Sequence, residues 1–95
     1  MIKYIAEFIG TFFFVTVILN SIKKNTGMSS IPIAIGVGLV AAIILAGPVS
    51  GAHLNPVVSL VSYLNKTMSQ TELMYYIIAQ CAGAIAAKQY FDRMQ

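Results

Sequence analysis

Residues 50–58, SGAHLNPVV, constrain this chain most, because they start a helix that is too short to cross a membrane. Asn55 is a favourable N-cap, since its side-chain oxygen accepts a hydrogen bond from a free backbone N–H, and Pro56 suits the first helical position. A helix from there to about Leu64, at about 1.5 Å per residue, reaches only half-way across a bilayer core of roughly 30 Å. We therefore expect a re-entrant loop and half-helix over about 47–64, buried in protein or lining a wet cavity.

The composition is that of a membrane protein. The chain has 95 residues, is 58% hydrophobic, and carries only six Lys or Arg and three Asp or Glu residues. A soluble domain would carry about a quarter charged residues. The net charge of +3 forms no basic stripe in the sequence, so it does not indicate nucleic-acid binding. The sequence shows no metal-ligand cluster, nucleophile pair or phosphate-binding loop, so we expect no catalysis, no metal and no cofactor.

Three further apolar segments complete the expected fold. Gly47 and Pro48 are expected to end the second segment, and residues 69–72, SQTE, fit a capping box that starts the third. The polar stretch 23–30, with Gly27 as a turn residue, separates the first two segments. The sequence predicts an all-α membrane protein, a single repeat over 1–95 with three transmembrane helices and one re-entrant half-helix. The expected spans are about 2–22, 31–46 and 71–90.

Three motifs resemble one protein family. SGAHLNPVV at 50–58 resembles the SGAHLNPAV motif of the aquaporin and glycerol-facilitator (major intrinsic protein) family. AEFIGTF at 6–12 resembles the family's first-helix motif, and YIIAQCAGAI at 76–85 resembles its third helix. The motifs keep the family's order and spacing over nearly all of the chain. They match the N-terminal half of a family member, with one Asn-Pro half-helix, and these 95 residues contain no second such motif.

The resemblance implies a pore beside the half-helix. The side-chain NH₂ of Asn55 would donate to a passing water or hydroxyl, in addition to capping the helix. Small residues before it allow backbone carbonyls to line one wall of the path. The partial positive charge at the half-helix N-terminus opposes cations and protons, as in aquaporin-type pores. The expected pore-lining residues are Gly51, Ala52, His53, Asn55, Val57, Val58 and Ile35. A proton-carrying role for His53 is the less favoured alternative to a hydrogen-bonded one.

Two positions depart from the family pattern. Ile35 stands where the family often has an aromatic residue or His in its narrow filter. Val58 occupies the place that corresponds to the filter Arg, which in the family follows the Asn-Pro motif of the second half. Arg93 lies too close to the C-terminus to replace it. These differences favour an apolar constriction that passes glycerol or another small neutral solute over one selective for water.

Glu7 is the most costly residue in the apolar segments, because an ionised carboxylate that faces lipid is strongly unfavourable. We expect it to face inward with partners. The resemblance implies that Glu7 supports the re-entrant loop through hydrogen bonds to the backbone near His53. Pro56 and Gln80 are expected to give structural support as well. The alternative hypothesis is that Glu7 couples proton movement to transport, as a carboxylate does in small exporters that insert in two orientations.

The favoured function is passive flow of water or small neutral solutes such as glycerol. One copy cannot enclose a pore, so two copies are expected to associate in opposite orientations in the bilayer, following the inverted-repeat pattern of many transporters. Such antiparallel pairs could assemble further into larger rings. A proton-coupled exporter that uses Glu7 is one alternative. A non-conducting remnant, or a partner of a full-length channel, is the other.

The charges leave the orientation of this multi-pass membrane protein open. The positive-inside rule counts Lys and Arg near the ends of the spans. Four Lys or Arg residues lie on one side of the membrane and two on the other, which favours an N-terminus outside the cytoplasm. The family's first half has its N-terminus inside. Lys3 and Lys66 lie on the N-terminal side, and Lys23, Lys24, Lys88 and Arg93 lie on the other.

Overall fold

The computed structural model describes residues 1–24 and 30–94, which form four α-helices and no strand. Two of these helices, α1 and α2, are long and apolar enough to cross a membrane. α4 has 24 residues but is less apolar. The turn expected around Gly27 lies outside the described residues. The helices are α1 (Ile2–Lys24), α2 (Ser30–Ser50), α3 (Pro56–Leu64) and α4 (Gln70–Arg93).

The starts of α3 and α4 confirm two predictions made from local sequence. Asn55 is the N-cap of α3 and accepts a hydrogen bond from Val57 N at 2.8 Å, with Pro56 in the first turn. Ser69 caps α4, where a complete capping box joins it to Glu72. Such caps pair backbone N–H groups that have no partner inside the helix.

The prediction that Gly47 and Pro48 end the second helix is wrong. α2 continues to Ser50, with Pro48 inside the helix. Proline removes one backbone donor, and nearby backbone and hydroxyl groups can compensate in a membrane helix. Beyond the proline, Gly51 N donates to Gly47 O at 2.9 Å and Ser50 Oγ donates to Ala46 O at 3.2 Å, so the last turn of α2 stays hydrogen-bonded. The helix ends where Gly51 takes a φ of 85°, a left-handed conformation that glycine adopts without strain.

α1 is the centre of the fold, because it packs against both α2 and α4, while α3 packs against α4. α1 and α4 run parallel: Lys3 pairs with Glu72 where both helices begin, and Lys23 lies over the Phe91 ring where both end. α3 lies alongside the first half of α4. This arrangement puts the 51–55 loop against the inner faces of α1 and α4.

Small residues set the distances between the helices. Gly83 of α4, where an added Cβ would lie 2.5 Å from Phe8 O, lies in close contact with the backbone of α1. Gly38 of α2 lies against Val17 of α1 in the same way. Gly83 and Ala87 are buried, as expected for small residues spaced four apart on one packing face.

Candidate pore loop and its buried support

The loop between α2 and α3 has a tightly bent backbone. Gly51, Ala52 and Leu54 all have positive φ, at 85°, 50° and 55°. For Ala52 and Leu54 this conformation costs on the order of 1–3 kcal/mol each, and it persists only where the surroundings hold it. Leu54 is buried and lies against Gly10 of α1, where an added Cβ would come within 2.7 Å of its side chain. The loop shape therefore depends on tertiary contacts.

Glu7 supplies the main polar contact that holds the loop. Its carboxylate is 0% exposed. Oε2 accepts from His53 N at 3.0 Å and from Ser50 Oγ at 2.5 Å. Oε1 accepts from Leu54 N at 2.9 Å and from Gln80 Nε2 at 2.9 Å. Four donors around one carboxylate occupy the acceptor positions of both oxygens and leave none for another ligand.

A second set of hydrogen bonds connects the loop to α3 and α4. Gln80, 2% exposed, also donates to Ser59 Oγ at 3.0 Å, and Ser59 Oγ lies 2.8 Å from His53 Nδ1. Because Ser59 already accepts from Gln80, its own hydrogen is free to donate to Nδ1, which favours the imidazole tautomer protonated at Nε2. Tyr76 packs its ring 4.9 Å from that of His53 and donates its hydroxyl to Ser50 O at 2.7 Å.

Other polar groups of the loop have no partner in the described part of the chain. Among the described residues, no donor bonds the carbonyls of Gly51, Ala52 or His53. Asn55 is exposed, and its Oδ1 is occupied by the cap while its NH₂ has no partner in the described part of the chain. The loop thus offers a row of acceptors followed by one donor, which is the set of groups that a water or an alcohol needs as it loses its hydration.

Two apolar side chains follow this row at the start of α3. Val57 and Val58, in the first turn of α3, are 65% and 44% exposed. Ile35 is half-buried and lies in the second turn of α2, roughly 22 Å along the helix axis from Ser50 at about 1.5 Å per residue. The structure therefore brings together every predicted site residue except Ile35, which lies near the other end of α2.

Comparison with known proteins identifies the family. Residues 1–94 match the family described as Major intrinsic protein. The chain belongs to the major intrinsic protein family. This is a family of membrane-integral channels and not of enzymes. No solved structure matches the chain significantly.

Curated relatives of this major intrinsic protein carry two kinds of name. A glycerol uptake facilitator protein of Pseudomonas aeruginosa is 43% identical over 89 residues, which are 87% of this chain and 32% of that protein. Glycerol uptake facilitator protein-like 6 of Lactiplantibacillus plantarum is 35% identical, with 92% of this chain and 41% of that protein covered. Aquaporin PIP1-1 of Arabidopsis thaliana is 37% identical, with 85% of this chain and 32% of that protein covered. The chain thus spans about a third of the length of these relatives.

Sequence reasoning missed three members of the buried network in this major intrinsic protein chain. Ser50, Ser59 and Tyr76 are all buried. The available signal was their polarity within apolar segments, where a hydroxyl needs a partner.

Thr11, at the interface between α1 and α4, has a buried hydroxyl whose removal should not destabilise the protein. Its side chain is 4% exposed, and its hydroxyl has no partner among the described residues. Because replacing such a hydroxyl by a methyl group removes a desolvation cost, Thr11→Val should unfold at the same temperature as the parent or higher. Ser59→Ala, the contrast variant, should lose about 1–3 kcal/mol by removing a bonded hydroxyl. Thermal unfolding in detergent compares them, and a Thr11→Val loss as large as that of Ser59→Ala would contradict the expectation.

Proposed function

We propose that the chain forms half of a passive channel for water or small neutral solutes such as glycerol, and that two copies in opposite orientations complete it. One observation supports this most: the carbonyls of residues 51–53 and the Asn55 amide have no partner among the described residues, while Glu7 accepts from two backbone N–H groups of the same loop. The names of the relatives, glycerol uptake facilitator and aquaporin, agree with this solute class.

The need for a second copy follows from length. α3 has nine residues, so at about 1.5 Å per residue it covers roughly 13 Å of a core about 30 Å thick. A second half-helix from the other leaflet would meet it near the midplane and bring a second Asn55. Ile35 of one copy would then belong to the narrow part near the other membrane face. In this proposal α4 is the third span, so the protein is multi-pass, and its buried Gln80 faces protein rather than lipid.

The contacts of Glu7 argue against the exporter reading. A proton-coupling carboxylate must bind a proton and substrate in turn, so both must be able to reach it. Glu7 is fully buried, and all four of its contacts are donors from the loop, α2 and α4. Its position suits a fixed support.

Flow through vesicles tests the proposal, with Asn55→Asp as the informative variant. Aspartate keeps an oxygen that can cap Val57 N, so thermal stability should stay close to that of the parent. It loses the amide donors and adds a negative charge, so glycerol-driven swelling should fall by roughly tenfold, the equivalent of about 1.4 kcal/mol. Stopped-flow light scattering of vesicles that contain only this chain measures the rate against protein-free vesicles.

The same vesicles give the ion selectivity. The two half-helix N-termini and the cost of stripping water from an ion should exclude metal cations. Proton exclusion should be weaker than in a full-length family member, because Val58 occupies the place that corresponds to the filter Arg and carries no charge. An internal pH dye reports the leak. Steady cation currents, or a fast proton leak without swelling, would contradict the pore. Absence of any flow would favour the non-conducting alternative.

Topology gives an independent prediction. Because a homomeric pore requires both orientations and the Lys and Arg bias is weak, N-terminal tags should be found on both faces of the membrane. Accessibility of cysteines placed next to the tag, measured with a membrane-impermeant reagent, gives the two fractions. A single uniform orientation would exclude the homomeric pair and leave pairing with another chain.

A further inference from the structure

Basic side chains meet where α1 and α4 end. Lys23 comes from the last turn of α1, and Lys88 from the end of α4; their ammonium groups each lie 5.9 Å from the centre of the Phe91 ring. Arg93, also exposed, follows in the same helix. We call Lys23, Lys88 and Arg93 the basic face.

The acid on this face neutralises it only in part. Asp92 pairs with Lys88, but the two side chains are 55% and 60% exposed, and exposed pairs of this kind contribute little and exchange readily. At the other end of the same helices, Lys3 pairs with Glu72 and both are about two-thirds covered, at 35% and 30% exposed. That end leaves only Lys66 as an unpaired basic side chain among the described residues.

We propose that the basic face binds the phosphate groups of anionic phospholipids. Its cations stand at the ends of helices, one of which is apolar enough to span a membrane, and so at the depth of the headgroups. Basic residues next to a membrane helix attract anionic lipids, and the Phe91 ring holds two ammonium groups from different helices beside each other. The C-terminal ends of helices also favour cations, but that effect acts within the protein and does not depend on lipid charge.

The test compares phosphatidylglycerol with phosphatidylcholine in detergent-solubilised, full-length chain, with bound lipid counted by native mass spectrometry. The parent should retain phosphatidylglycerol in preference. Lys23→Gln with Lys88→Gln should weaken that retention by about fivefold for each lysine, as expected for cations at an anionic surface. Asp92→Asn should strengthen it. Lys66→Gln removes one positive charge at the opposite end, so it is the matched control for Lys23→Gln or Lys88→Gln alone, and it should leave the retention unchanged.

Three results would overturn the proposal. Equal retention of both lipids by the parent would show that headgroup charge is not recognised. An equal loss in Lys66→Gln would show a response to net charge rather than to this face. Displacement of phosphatidylglycerol by inorganic phosphate at constant ionic strength, with the same dependence on Lys23 and Lys88, would assign the site to the free anion. None of these readouts depends on flow through the pore.

Discussion

Replacing Glu7 by leucine is expected to unfold the 51–55 loop and abolish flow. The leucine would leave the backbone N–H groups of His53 and Leu54 without any acceptor. The Ser50 hydroxyl and the Gln80 amide would each lose one of two acceptors and keep Ala46 O and Ser59 Oγ, respectively. Each unpaired buried donor costs about 1–3 kcal/mol. Since whole domains are stable by only about 5–15 kcal/mol, the sum is a large fraction of the total. The loop would also lose the contacts that hold Ala52 and Leu54 in their strained conformation.

Glu7→Gln is the matched comparison. Glutamine keeps one side-chain oxygen, which can still accept from two donors, but its NH₂ group would face a donor at the other position. Ser50 can adapt, because its hydroxyl already has a second acceptor in Ala46 O, whereas His53 N cannot. We therefore expect Glu7→Gln to keep a large part of the stability and flow of the parent, and Glu7→Leu to keep little.

Thermal unfolding in detergent and swelling of vesicles measure both effects. Equal loss in the two variants, together with transport by the parent that depends on a proton gradient, would favour the exporter reading. Loss of flow in Glu7→Gln with unchanged stability would also contradict a purely supporting role.

Gly83→Val is expected to have the second large effect, on the contact between α1 and α4. A Cβ at this position would lie 2.5 Å from Phe8 O and 3.2 Å from both Phe12 N and Thr11 Cβ. Two of these three atoms belong to the backbone, so no side-chain rotation relieves the contact and the helices must move apart. Overpacking typically costs about 1–3 kcal/mol, and here it also displaces Glu7, one turn from Thr11, relative to Gln80.

Gly36→Ala provides the control within the same chain. Gly36 lies in α2, and a Cβ there meets nothing within 4 Å. Alanine should stabilise the helix by roughly 0.5–1 kcal/mol, because glycine loses more conformational freedom. Thermal unfolding and vesicle swelling of Gly83→Ala, Gly83→Val and Gly36→Ala should show a graded loss at Gly83 and none at Gly36. A Gly83→Val protein as stable as the parent would refute the close helix contact.

Features that depend on neighbouring residues were predictable from the sequence. Asn55 and Pro56 start α3, and Ser69 with Glu72 starts α4, because a cap is made by side chains and N–H groups within three positions of each other. That Glu7 faces inward was also predictable, because a carboxylate among apolar residues needs hydrogen-bond partners. The three motifs identified the family, because their spacing is specific.

Only the tertiary structure decided which partners meet. Gln80 lies 73 positions from Glu7, and Ser50 lies 43 positions from it, so no local pattern connects them. Ser59 and Tyr76 join the network for the same reason. The end of α2 was misjudged because Gly47 and Pro48 are poor helix residues in isolation. The helix nevertheless continues to Ser50, where bonds to Glu7 and Tyr76 hold the last residue in place. In an apolar environment, pairing buried backbone groups outweighs local helix propensity.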